Sequence, residues 1–181
     1  MRLPVFAAAL ALSLSAPLAV TAQGLMDEMH RDVNQVQRKV IDLAKAIPES
    51  DFDWRPSAAA RSIREVLLHI SADNYLIPIS MGMPAPAESG ISGTDFSTAM
   101  TYEKRALTKD QVVADLEASF GHLHRAMALT TDANLTEVIK FFGQDWSRQR
   151  AMILTVTHLH EHLGQMIAYA RSNNVAPPWS R

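Results

Sequence analysis

Apolar residues recur at spacings of three and four in four stretches of the chain, and each stretch predicts an amphipathic helix buried along one face. The first runs from about Leu25 to Ile47, with Met29, Val33, Val36, Val40, Leu43 and Ile47 in phase, and Pro48 ends it. The second opens at Ser62, where Ser62-Ile63-Arg64-Glu65 has the form of a capping box, and carries Ile63, Val66, Leu67 and Ile70 toward Ile77. The third starts at Thr108-Lys109-Asp110-Gln111, again a capping-box pattern, and continues through Val112, Leu116, Phe120, Leu123 and Met127. The fourth spans roughly Trp146 to Arg171, and the run from Asn173 to Pro178 stops it.

The stretches between the helices are less regular. From Gly82 to Thr108, Pro84, Pro86, Gly90 and Gly93 interrupt any period, which predicts a long loop. Loops of that length in a compact domain are either functional or plain crossovers, so this one is a candidate lid or a connection without a role. Between Thr130 and Asp145, the residues Val138, Ile139, Phe141 and Phe142 suit either a small strand or packing on the helices, and the pattern leaves both open. Four helices with one long connection between the second and third describe an all-α four-helix bundle, a class that builds metal sites from side chains on facing helices.

Composition narrows this picture. A length of 181 residues with 48% hydrophobic content fits one folded domain. A formal charge of -2 shows no basic surplus, so no nucleic-acid partner is expected. Met1-Arg2 followed by an apolar run from Val5 to Val20 and then Val20-Thr21-Ala22 reads as a secretory signal peptide over residues 1–22, cleaved after Ala22. The domain then occupies 23–181, the destination is secreted or periplasmic, and no stable membrane anchor remains after cleavage. With no cysteine, any metal must sit on nitrogen and oxygen. A homodimer through apolar positions of the first helix stays open.

Three of the seven histidines lie in His158-Leu159-His160-Glu161-His162, on the fourth helix. Residues four apart on a helix project within about 40° of each other, so His158 and His162 can reach one ion while His160 projects away. Both flank the apolar stripe of Met152, Val156, Leu159, Leu163 and Met166, and His69 holds the same flanking position on the second helix. Three neutral imidazoles would make an open site suited to zinc, nickel or iron, with a position left for water or substrate. An i,i+4 histidine pair also arises as ordinary polar surface, so spacing alone leaves that reading standing. His160, His122, His124 and His30 read as solvated or helix-flank residues, with His160 also a candidate to support a ligand from behind. Glu161 follows the wrong histidine for the zinc-protease arrangement, which needs glutamate directly after the first ligand.

Two longer motifs extend this reading. The stretch Pro48-Glu49-Ser50-Asp51-Phe52-Asp53-Trp54-Arg55-Pro56, with Arg61 through Ile70, and the stretch His158 to His162 followed by Leu163-Gly164-Gln165, together resemble the DinB-like superfamily of four-helix-bundle proteins. The resemblance implies a divalent ion on His69, His158 and His162 with water completing its shell, and structural support from Gln165 and Trp54. It also implies a small-molecule substrate, with a thiol S-transferase as the leading activity. A non-catalytic metal- or small-ligand-binding module and a metal-dependent hydrolase are the alternatives, and in the last Glu161 and Asp73 are candidate bases by proximity.

Overall fold

The computed structural model describes residues 24–180, so the signal segment expected at residues 1–22 lies outside them. Four long helices form the bundle: α1 (Leu25–Ala46), α2 (Ile63–Ser80), α4 (Lys109–Met127) and α5 (Arg148–Ser172), with a short α3 (Ser97–Glu103) between the second and third of these. Around the bundle the order is α1, α4, α2, α5, so α2 lies against both α4 and α5 while α1 sits diagonally across from it. This order brings His69 on α2 next to the histidines of α5.

The capping signals act as the sequence predicts. Ser62 Oγ accepts from the Glu65 N–H at 3.2 Å, and the Glu65 carboxylate accepts from the Ser62 N–H at 2.8 Å. Thr108 and Gln111 form the same reciprocal pair at the start of α4. Helix α1 has no cap of its own; Asp132, in a 3-10 turn far along the chain, accepts from the Met26 N–H at 3.0 Å. Any side chain at Gly24 would collide with the Asp132 carboxylate, so a glycine there permits the cap.

Helix α2 is the most enclosed element, because α3, α4 and α5 all pack on it. Its inward residues Val66, Leu67 and Ile70 join Val33, Val40 and Leu43 of α1 and Leu116, Phe120 and Leu123 of α4 in one core. Among the described residues, no helix is long and apolar enough to cross a membrane.

Two segments differ from the expectation. The connection after α2 is not irregular throughout: a 3-10 turn at Ala87–Ser89 and helix α3 break it up, and Ile91, Ala99, Tyr102 and Glu103 are buried. Seven residues are too few for a helical period to stand out against the prolines and glycines before them. The segment after α4 forms a hairpin of β1 (Val138–Phe141) and β2 (Gln144–Ser147), antiparallel with Phe141 opposite Gln144. Ile139 and Phe141 point inward while Val138 and Lys140 point out, the alternation of a half-buried strand. Helix α5 accordingly begins two residues later than the pattern suggests, because Trp146 belongs to β2 and Ser147 caps the helix by accepting from the Arg150 N–H.

Candidate metal centre

Helix α2 supplies His69 and, one turn on, Asp73; helix α5 supplies His158 and, one turn on, His162. The structure brings all three predicted histidines together, with one ring nitrogen from each within 4.8 Å of the others. The rings stand edge to face, with centroids 5.3 Å apart for His69 and His158, 4.6 Å for His69 and His162, and 4.4 Å for His158 and His162.

Two of the rings, those of His69 and His162, are held from outside. His69 Nδ1 donates to Glu103 Oε1 at 2.6 Å, and Arg61 grips the same carboxylate with Nε at 2.7 Å and a terminal nitrogen at 3.2 Å. Burial alone would raise the Glu103 carboxyl, but the hydrogen bonds and charges of His69 and Arg61 outweigh it and hold the group below the ordinary glutamate range. His162 Nδ1 donates to Gln165 Oε1 at 2.9 Å, and Gln165 Nε2 donates to the Tyr169 hydroxyl at 3.1 Å. The Trp54 ring stands edge-on to Tyr169 at 5.3 Å, so Gln165 bonds His162 directly and Trp54 reaches it only through Tyr169.

His162 carries the test of whether a metal fits. With Nδ1 committed as a donor to Gln165, Nε2 presents a bare lone pair, and that atom is buried without a hydrogen-bond partner. Burial pushes its pKa down to about 4, so the ring stays neutral at physiological pH. A buried lone pair with nothing to accept is costly unless a Lewis acid meets it. The donor set is thus chemically suited to a divalent cation, with carboxylate and amide groups orienting the imidazoles from behind.

Asp73 completes the arrangement. Its Oδ2 lies 2.6 Å from His158 Nε2 and 3.3 Å from His69 Nε2, on the inner side of both rings. The other candidates separate clearly. Glu161 is exposed on α5, whereas Asp73 faces the rings. His160 bonds Asp32 of α1 at 2.8 Å and supports no ligand, because it projects to the opposite side of α5. His122, expected as a solvated or helix-flank residue, is buried beside Tyr75 with its Nε2 unpartnered, and His124 bonds Gln37 of α1 at 2.6 Å. Glu103 is the site residue that the sequence reading missed.

The DinB superfamily model matches residues 33–166, more than half of the chain and a span that includes all three histidines. Among solved structures, a DinB-like protein from Bacillus cereus is 14% identical with a TM-score of 0.65, over 86% of this chain and 97% of its own. A conserved protein from Enterococcus faecalis is 13% identical with a TM-score of 0.68, over 83% and 97%. A protein described as a DinB-family member from Exiguobacterium sibiricum is 25% identical with a TM-score of 0.57, over 81% and 89%. No curated protein matches.

Proposed function

The chain belongs to the DinB superfamily, and from that premise we propose that His69, His158 and His162 hold one divalent metal ion, zinc, nickel or iron, in an exported metal-dependent thiol S-transferase. The observation that carries the metal reading is the buried, partnerless Nε2 of His162 beside the two other imidazoles. A divalent ion in this site supplies Lewis acidity, which lowers the pKa of a thiol and makes it a nucleophile near neutral pH.

The chain's own residues perform the remaining tasks. Glu103 and Arg61 fix the tautomer and direction of His69, and Gln165 does the same for His162. Asp73 Oδ2, which bonds His158 Nε2 at 2.6 Å and lies 3.3 Å from His69 Nε2, is the carboxylate oxygen that would take the proton of an entering thiol and return it to the leaving group. Leu76, Ile77 and Leu154 give the space beside His158 and Asp73 an apolar lining.

The same Asp73 position favours a second reading, metal-assisted hydrolysis, in which this carboxylate serves as base toward water. A binding module without turnover is the third.

Elemental analysis of untagged protein, beside a His69→Ala, His158→Ala double variant, is the first test. About one equivalent of metal in the parent and none in the variant supports the site and names the ion; no metal even after reconstitution overturns it. Cobalt substitution then separates the chemistries. A spectrum that shifts with thiols supports the transferase, one that shifts only with phosphate esters supports the hydrolase, and indifference to both supports the binding module. Export is tested by N-terminal sequencing after bacterial expression of the full chain: a periplasmic product beginning at Gln23 supports it, and an intact Met1 in the cytoplasm refutes it.

A further inference from the structure

A cavity of about 200 Å³ opens directly beside the histidine cluster and shares His158 and Asp73 with it. Its remaining lining is apolar: Leu76, Ile77 and Leu154 from the bundle, and Phe96 and Phe142 from outside it. A sealed apolar cavity of about 150 Å³ takes up benzene; this pocket is open on its outer side, and its volume has room for a ring-sized group.

The outer wall is unusual in its backbone. Phe142 and Gly143 are the two residues of the β1–β2 turn, at φ 49° and 79°. Such two-residue turns need positive φ at both positions and favour Asn-Gly, whereas a bulky aromatic at positive φ is strained. Phe142 is nonetheless there, 42% exposed, with its ring 4.9 Å from that of Phe96, itself 47% exposed. The turn would be better served by asparagine; what phenylalanine adds is ring area on the mouth of the cavity.

We propose that this cavity is the subsite for the apolar, ring-sized portion of the metal centre's substrate, with Phe142 and Phe96 forming its outer wall. The role of this pocket toward a substrate rests on the proposed metal centre; its preference for an apolar ring does not. The ligand class is therefore a small molecule with an aromatic or compact aliphatic group attached close to its reacting atom, because His158 and Asp73 line the same space.

The test uses the cobalt-loaded full chain, titrated with benzyl mercaptan and with 2-mercaptoethanol and followed by its visible spectrum. The expected result is at least tenfold tighter binding of benzyl mercaptan. Phe142→Asn should remove most of that preference and leave 2-mercaptoethanol within about twofold, while melting at or above the parent because the turn strain is relieved. Phe96→Ala, on a different element, should remove it as well. Equal affinity for the two thiols in the parent, or a preference that survives both substitutions, overturns the proposal. So does a dimer that Phe142→Asn dissociates, which would give the exposed rings to a second copy of the chain.

Benzyl alcohol, followed by NMR shifts of the Leu76 and Leu154 methyl groups in chelator-treated protein, reads the cavity without metal. Binding there in a protein that takes up no metal keeps the cavity and removes the metal centre. No binding there in a protein whose cobalt responds to thiols does the reverse.

Discussion

Replacing Glu103 by glutamine isolates what the carboxylate does for the histidine cluster. Its side chain is nearly buried, accepts from His69 Nδ1 at 2.6 Å, and is gripped twice by Arg61. Glutamine keeps the shape and one acceptor oxygen but loses the charge that polarises His69 and pairs with Arg61. Charge-assisted hydrogen bonds contribute about 1.5–3 kcal/mol each, yet Arg61 is 40% exposed on its side chain and water screens its share. The metal-free fold should therefore lose only about 1 kcal/mol, since removing a buried charge also relieves its desolvation. Metal affinity should fall about 10–100-fold, the usual effect of removing a carboxylate behind a ligating histidine. Competition against a chromophoric chelator measures that affinity, and urea unfolding of chelator-treated protein measures the fold. Lys104→Ala, which removes only an exposed partner of Glu65, is the control. An affinity within threefold of the parent, with the fold intact, would refute the assignment of Glu103 as the group that orients His69.

Three further outcomes follow from the same contacts. Gln165→Leu leaves His162 Nδ1 buried without an acceptor, so the melting temperature should drop by the equivalent of about 1–3 kcal/mol and metal affinity by about tenfold; unchanged values in both assays would contradict it. Phe120→Ala empties a fully buried core position on α4 and should cost about 3–5 kcal/mol in urea unfolding, a loss below 1 kcal/mol being incompatible with the packing described. Burial depresses the pKa of His122, and that of His124 alike. The unfolded chain, at an ordinary value near 6.5, thus takes up protons first; their contribution is complete above that pH and is lost as pH falls below it. The urea midpoint should decline between pH 7 and 5, and His122→Leu should flatten part of that decline; equal slopes for parent and variant would count against the assignment.

The sequence makes the bundle readable because each long helix carries enough turns for its apolar stripe to repeat, and because Ser62-Glu65 and Thr108-Gln111 mark two starts by reciprocal hydrogen bonds. The three histidines are readable for the same reason: the flank that a residue occupies on a helix follows from its phase. Glu103 is not. It ends a seven-residue helix inside a stretch rich in proline and glycine, and only the docking of α3 on α2 brings it to His69. His122 misleads in the opposite way, because a polar residue on an apolar face looks solvated until Tyr75 is seen to cover it. Phe142 is hidden too, since no apolar period distinguishes a ring at a hairpin tip from a ring in the core.

The connection between α2 and α4 also sets where the length of this chain can drift. Residues from Pro84 to Gly90 lie mostly at the surface, so insertions or deletions there alter little beyond the surface outline. From Phe96 onward every residue counts, because α3 delivers a cavity wall at its start and the partner of His69 at its end, with only 104–107 between Glu103 and the cap of α4. One extra residue in that short tether would swing Glu103 off His69 while leaving all four long helices in place. A library of single-residue insertions across this segment would thus divide at about Phe96, with folded and metal-competent chains before it and folded but metal-poor chains after it.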